Sequence, residues 1–186
     1  MAEQTEPVHA TLAERTEQVS AMLAEKFGVA RAKADLIAES VMKSASKYSL
    51  PPTLLLAIIT VESRFREKAH GANGATGLMQ VVPSSHRQLI KGKDLTEPSV
   101  NIDTGSAILH GYVDSAGGDL EAGLRSYGGK NYVAKITHQL KQFDATLDDV
   151  APASDTVSAS ASSSDSASDS TVAPIIGGSP VSIDIH

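Results

Sequence analysis

The sequence predicts an all-α fold with at most a minor β element. In most of the chain, apolar residues recur every three or four positions, and no stretch alternates between apolar and polar residues for long. Glycines follow several of the periodic stretches, at positions where they would end helices. With 186 residues and 41% hydrophobic content, the chain can form one buried core.

The first 49 residues are predicted to form two scaffold helices. Apolar positions recur from Thr11 to Phe27, and Gly28 is placed to end that helix. The same period runs from Val29 to Tyr48 and stops before a proline pair. We expect both helices to pack against a central helix and to form one globular domain with residues 50–143.

The central stretch, Leu50 to Gln80, carries the strongest candidate for chemistry. Nearly every residue from Thr53 to Val61 is apolar, which predicts a helix buried on most sides. Glu62 ends this helix and lies on the same face as Ile58. Both an apolar surround and the partial negative charge of a helix C-terminus raise the pKa of a carboxyl, so Glu62 is a candidate general acid. The alternative is an ordinary surface ion pair with Arg66.

After Glu62, a glycine-rich loop from Ala69 to Gly77 is predicted to form one wall of a cleft. A polar loop, residues 91–94, either reaches a ligand or is simply solvated. The remaining predicted elements are a short helix Ser84–Ile90, a helix capped by Asn101 and running to about Ala116, a helix Leu120–Tyr127 capped by Asp119, and a helix Tyr132–Phe143.

The charge is distributed unevenly along the chain. Residues 144–186 contain seven Asp and no Lys or Arg, whereas the rest of the chain has a net charge of +1. Residues 151–170 are almost entirely Ala, Ser and Asp, so we predict a disordered tail over 144–186. Its last residues recover some alternation and could dock, although a frayed end is the simpler expectation. A body with this charge balance does not suggest nucleic-acid binding.

Several classes of site are excluded or not expected. The chain has no cysteine, so it has neither disulfides nor a thiolate nucleophile. The six histidines are scattered without ligand spacing, and we expect neither metal nor cofactor. The longest apolar run is well short of the ~20 residues of a membrane span. No secretory signal is visible at the N-terminus, so work outside the cytoplasm would require a removed signal or another export route.

Four motifs of the sequence, taken together, resemble those of a known family. Glu62-Ser63, the run Gly74-Ala75-Thr76-Gly77-Leu78-Met79-Gln80, Asn101-Ile102 with Gly105, and Ser126-Tyr127 are similar, in order and spacing, to motifs of the soluble lytic transglycosylase catalytic domain. The resemblance covers roughly residues 45–142. It implies a fold like that of goose-type lysozyme and a peptidoglycan substrate.

The resemblance also implies a mechanism with a single acid. Glu62 would protonate the glycosidic oxygen after N-acetylmuramic acid, assisted by the N-acetyl oxygen of the substrate. It would then take the proton from the C6 hydroxyl, which closes on C1 to leave a 1,6-anhydro end. Met79 and Gln80 would shape the sugar pocket, and Tyr127 would position Glu62 or the substrate. Met79 could equally be a core residue.

Two further residues complete the predicted site. Ser63 either hydrogen-bonds into the site or closes the end of the helix. The family often has a serine nine residues after the catalytic Glu, but that position is Gly71 here, with Asn73 as the nearest substitute. The family's Ala-Tyr-Asn is Ser126-Tyr127-Gly128.

Three functions follow from these observations: a lytic transglycosylase, a goose-type lysozyme or chitinase-like hydrolase using a second carboxylate, and a peptidoglycan-binding or assembly protein without turnover. Asp94 and Asp103 are the candidates for the second carboxylate. We expect a monomer that acts on glycan strands in the periplasm or cell envelope, with cell-wall or secretion machinery as candidate partners.

Overall fold

The computed structural model describes residues 11–147, with side chains described through Phe143. Within these residues there are six α-helices and two short 3-10 turns, Ala72–Gly74 and Pro83–Ser85. Two isolated bridges, His70 with Thr76 and Thr76 with Val81, are the β structure of this part of the chain. The prediction of an all-α fold with at most a minor β element is therefore confirmed.

The N-terminal hairpin consists of α1, Leu12–Phe27, and α2, Arg31–Tyr48. Thr11 caps α1 through a reciprocal capping box with Glu14, which satisfies two backbone donors at the helix start. Gly28 ends α1 with φ 65°, a left-handed conformation that favours glycine. The second helix starts two residues later than predicted, because Gly28 to Ala30 form the turn.

The central helix is α3, Pro52–Glu62. Proline suits its first position, where the missing N–H would have no helical partner. Six consecutive residues, Leu54 to Ile59, are buried, and α3 packs against both α2 and the last helix of the described chain. At about 1.5–3 kcal/mol for each large apolar side chain, this burial fixes α3 firmly in the core.

Two predictions between Pro83 and Ala116 are wrong. The predicted helix Ser84–Ile90 is not formed: a 3-10 turn, Pro83–Ser85, is followed by further turns, because a seven-residue helix without a cap is marginal. Asn101 does not cap the next helix. That helix, α4, spans Pro98–Ser115 with Glu97 before it, so Asn101 lies inside its first turns and its side chain is free for tertiary contacts.

The last two helices are α5, Leu120–Gly128, and α6, Tyr132–Leu147. The Asp119 side chain accepts a hydrogen bond from the Ala122 N–H at 3.1 Å, so its predicted role as a cap is confirmed. α6 continues four residues beyond its predicted end at Phe143. The rest of the predicted disordered tail, residues 148–186, lies outside the described residues, as do residues 1–10.

The packing order follows from these elements. α1 packs on α2, α2 on α3 and α4, α4 on α5, and both α3 and α5 on α6. One core cluster contains buried residues of α1, α2, α3, α4, α5 and α6. No helix within residues 11–147 is long and apolar enough to cross a membrane.

Candidate active site

Glu62 is the last residue of α3, at the end of its buried segment. Its side chain is only partly exposed, and burial raises the pKa of its carboxyl above the ordinary value. Two smaller influences lower that pKa: the hydroxyl of Tyr132 and the positive charge of Lys135. The ion pair with Arg66, the alternative role for Glu62, is not formed, because α3 ends at Glu62 and the Arg66 Nε donates to the Ser63 carbonyl at 3.0 Å instead.

Tyr132 is the site residue that the sequence analysis missed. It begins α6, is only 4% exposed, and faces Glu62 closely enough for the two groups to affect each other's pKa. Burial is the main cause that raises the pKa of the Tyr132 hydroxyl, so this hydroxyl stays protonated and can act as a donor. Its oxygen is buried and makes no hydrogen bond of ordinary geometry with any residue in the described part of the chain.

A signal for Tyr132 was present in the sequence. Tyr132 and Ile136 stand four residues apart on the buried face of α6, and Phe143 continues that face. A tyrosine on a buried helix face must bring its hydroxyl to a polar partner. The pattern therefore predicts a buried tyrosine, although only the packing of α6 on α3 shows that Glu62 is the group it faces.

Tyr127 joins α5 to the loop that follows α3. Its hydroxyl donates to the Met79 carbonyl at 2.9 Å, and burial raises its pKa. The Tyr127 ring packs against the Tyr132 ring, with centroids 5.9 Å apart. Glu62 is close enough to raise the pKa of Tyr127 further. Tyr127 therefore makes two contacts at the site: its ring packs against Tyr132, and its hydroxyl binds the loop at the Met79 carbonyl.

The loop itself is held by Asn101. This fully buried side chain accepts from the Met79 N–H at 2.7 Å and donates to the carbonyls of Thr76 and Leu95 at 2.9 and 2.8 Å. Gly77 has φ 83°, and a Cβ there would lie less than 3.0 Å from the Asn101 amide. The loop needs glycine at this position for both reasons.

Gln80 closes the loop from the other end. Its Nε2 donates to the carbonyls of Ala69 and Gly77 at 3.1 and 2.9 Å. Its Oε1 occupies the space that a side chain at position 71 would need. A side chain at position 71 would therefore require the Gln80 amide to move from this position.

The other predicted site residues differ in their accessibility. Ser63 is 1% exposed and its hydroxyl donates to the Ile59 carbonyl at 3.1 Å, inside the end of α3. Met79 is fully buried, and its Sδ lies 3.9 Å from the Ser106 hydroxyl oxygen. Asn73 is exposed, in the 3-10 turn at the tip of the loop. The structure thus brings Glu62, Tyr127 and the loop backbone together, whereas Asn73 lies exposed at the tip of the loop.

The remaining carboxylates near the loops are engaged elsewhere. Asp103 accepts from Lys47 Nζ at 2.6 Å and from the Tyr48 hydroxyl at 3.1 Å. Asp94 accepts from the backbone and hydroxyl of Thr96 at 2.9 and 2.7 Å. Among residues with described side chains, no group of three or more acidic or histidine residues is placed to hold a metal ion.

Comparison with known proteins agrees with this arrangement. The family model described as "Transglycosylase SLT domain" matches residues 39–147, more than half of the chain. The match includes α3 and every site residue described above. This chain belongs to the SLT-domain transglycosylase family, which confirms the resemblance seen in the sequence.

Individual relatives are similar over part of their length. The chain is 34% identical to "Membrane-bound lytic murein transglycosylase C" of Yersinia pestis (strain Pestoides F), over 54% of this chain and 33% of the relative. The same figures hold for the protein of that name from Yersinia pseudotuberculosis serotype O:1b (strain IP 31758). The chain thus spans about a third of the length of these relatives. Among solved structures, an inactive mutant of the lytic transglycosylase Slt from Pseudomonas aeruginosa aligns with 21% identity and a TM-score of 0.47, over 75% of this chain and 28% of that one.

Proposed function

We propose that this chain is a peptidoglycan lytic transglycosylase that cleaves the β-1,4 bond after N-acetylmuramic acid and leaves a 1,6-anhydro end. The observation that carries the proposal is the environment of Glu62: a carboxyl whose pKa is raised by burial, facing a protonated tyrosine hydroxyl. Membership of the SLT-domain family supports the same chemistry.

The environment of Glu62 suits a group that must act first as an acid and then as a base. Burial favours the protonated form, which donates to the glycosidic oxygen as the bond breaks. Tyr132 and Lys135 favour the ionised form, and so they stabilise the carboxylate that the first step leaves behind. That carboxylate accepts the proton of the C6 hydroxyl, whose oxygen closes on C1. The proton returns to Glu62, and no water is consumed.

The alternative hydrolase needs a second carboxylate about 5–9 Å from the acid. Both sequence candidates, Asp94 and Asp103, have the hydrogen-bond partners given above, and neither influences the pKa of Glu62. Glu67 is in an ion pair with Lys33, 2.5 Å between Oε1 and Nζ. These engagements favour intramolecular closure by the substrate over attack by an activated water.

We assign supporting roles to the other site residues. Tyr132 orients the Glu62 carboxyl, and Tyr127 supports Tyr132 while holding the Met79 carbonyl. Gln80 shapes the wall of the sugar pocket, and Asn73 at the tip of the loop contacts the glycan. Ser63 and the Met79 side chain act from within the core, by fixing the end of α3 and the base of the loop.

The partners and location follow from this activity. The substrate would be the glycan strand of peptidoglycan, and the site of action the periplasm or cell envelope. The name of these relatives, membrane-bound lytic murein transglycosylase C, supports an envelope location. We further propose that the chain acts as a monomer.

The test is mass spectrometry of the fragments released from purified peptidoglycan. The wild-type chain is expected to release fragments lighter by one water than hydrolysis products, and Glu62→Gln to release none. Glu39→Gln is the matched control, because it removes an exposed carboxylate on α2, outside the site, and should remain active. Ordinary reducing ends would instead establish a hydrolase. Binding to peptidoglycan without any product would establish a protein that has lost turnover.

A further inference from the structure

A cavity that does not include Glu62 or the two site tyrosines has a distinct chemical character. It has a volume of about 640 Å³ and lies between the α1–α2 turn and the segment from Arg64 to His70. Four basic residues line it: Lys33, Arg64, Arg66 and Lys68. We call it the basic cavity.

The positive charge of the basic cavity is only partly neutralised. Glu67 is the one acidic residue lining it, and it pairs with Lys33. Lys68 lies close enough to Glu67 and Asp94 to lower their pKa but forms no close ion pair within the described side chains. Arg64 is exposed and likewise has no ion pair there. The cavity therefore presents cationic groups that are available to an anion.

One wall of the basic cavity is aromatic. Phe27, which is partly exposed, forms most of this wall; Phe65 lines it too but is only 3% exposed, and the two rings meet edge to face with centroids 4.7 Å apart. Phe143 stacks on Phe27 from the core side at 6.0 Å. A ligand that combines carboxylates with short aliphatic parts matches a surface of this kind, because the rings cover the aliphatic parts and the cations pair with the carboxylates.

The segment from Arg64 to His70, which lines the basic cavity, follows Glu62 closely in the chain. Arg64 follows Glu62 by two residues, so their Cα atoms are at most about 7.6 Å apart. At the other end of the segment, the Ala69 carbonyl accepts from the Gly77 N–H at 2.9 Å and from Gln80 Nε2 at 3.1 Å. The backbone on which the cavity is built is thus bonded directly to the loop that lines the cleft.

We infer that the basic cavity binds the carboxylates of the stem peptide carried by the muramic acid residue beside Glu62. The inference rests on the proposed function and adds a determinant of substrate choice to it. A stem peptide of three to five residues extends about 10–18 Å, which is enough to reach from the cleft over Arg64 into the cavity. Such peptides carry free carboxylates and short aliphatic side chains, the two features that the cations and the aromatic wall accommodate.

The first experiment compares cleavage of intact peptidoglycan with cleavage of glycan strands whose peptides have been removed by an amidase. The wild-type chain is expected to favour the intact substrate in kcat/KM. The double variant Arg64→Gln/Lys68→Gln should lose about three- to tenfold on intact peptidoglycan, as expected for two partly exposed charge pairs, and nothing on stripped glycan. Arg64→Lys/Lys68→Arg, which conserves the charge, should restore the preference.

A matched control removes two exposed lysines that do not line the cavity, Lys43→Gln/Lys141→Gln. It tests whether overall charge rather than the basic cavity sets the preference, and it should behave as wild type. Thermal unfolding of each variant checks that the fold is retained. An equal preference in the wild-type chain and in Arg64→Gln/Lys68→Gln would overturn the inference, as would no preference at all in an active wild-type chain.

A second experiment is independent of catalysis. The full chain is titrated with the tripeptide L-alanyl-γ-D-glutamyl-diaminopimelate and with the same tripeptide amidated at every carboxyl, followed by NMR. Shifts at residues 64–68 with the free acid only, lost in Arg64→Gln/Lys68→Gln, would support the inference even if the chain cleaved no peptidoglycan. Absence of binding, or equal binding of both forms, would refute it while leaving the proposed activity untouched.

Discussion

The variant Tyr132→Phe, which removes only the hydroxyl oxygen, tests whether this hydroxyl contributes to activity or to stability. The Tyr132 hydroxyl is buried and makes no ordinary hydrogen bond within the described residues, yet it lowers the pKa of Glu62. Folding therefore gains little from this hydroxyl. We expect the free energy of unfolding to stay the same or to rise by up to about 1 kcal/mol, since a poorly satisfied polar group is replaced by an apolar one.

Activity should respond in the opposite direction. A hydrogen bond to a charged group contributes about 1.5–3 kcal/mol. Because the Tyr132 hydroxyl makes no hydrogen bond of ordinary geometry in the structure, we expect the lower end of this range, about 1.5 kcal/mol. A loss of this size corresponds to about a tenfold lower kcat. The sign of the pH effect is fixed as well. Loss of an influence that lowers the pKa of Glu62 raises that pKa, so the decline of kcat/KM at high pH should move to higher pH.

The assay is the release of anhydro-muropeptides as a function of pH, with urea unfolding of the same samples. Tyr48→Phe is the matched control, because its hydroxyl donates to Asp103 away from the site. That variant should lose about 1.5 kcal/mol of stability, the lower end of the same range because Asp103 is partly exposed, and no activity. Unchanged kcat and pH profile in Tyr132→Phe, or a large loss of stability, would refute the assignment of Tyr132 as a positioning residue.

Three further predictions follow from contacts of the site. Lys135→Met removes a charge that lowers the pKa of Glu62, so the high-pH decline of kcat/KM should also move to higher pH; an unmoved profile would contradict this. In Gly128→Ala, the new Cβ would lie less than 3.0 Å from the Tyr132 ring, so urea unfolding should show a loss of about 1–3 kcal/mol, and activity should fall with it. Asn101→Ala leaves two carbonyls and one N–H without their partner, for a loss of about 3–5 kcal/mol in urea unfolding; Asn101→Asp should lose at least as much, because its second oxygen would face both carbonyls in a fully buried site, and a loss below about 1 kcal/mol in either variant would contradict this.

Gly128 also shows how a departure from the family pattern can be understood from packing. The sequence indicates only that a family asparagine is missing at this position. In the structure, a side chain at position 128 would collide with the ring of Tyr132. The missing side chain is therefore the condition for bringing the Tyr132 hydroxyl to Glu62.

The sequence by itself determined the helices that carry a strong period or a clear boundary. The apolar run before Glu62 could only be a buried helix, and Gly28 and Asp119 specified a helix end and a helix start through local backbone chemistry. The same local logic identified Glu62, because a carboxyl at the end of an apolar helix is forced into a surround that raises its pKa. These features depend on residues that are near one another in the chain.

Only the tertiary structure decided what those residues face. Asn101 resembles a helix cap in sequence, but its amide binds a loop more than twenty residues earlier, because α4 begins at Pro98 and carries the side chain inward. Tyr132 is separated from Glu62 by seventy residues, and the packing of α6 on α3 brings them together. Contacts between distant segments depend on how helices pack. The periodicity of a sequence shows which face of a helix is buried, but not which residues that face contacts.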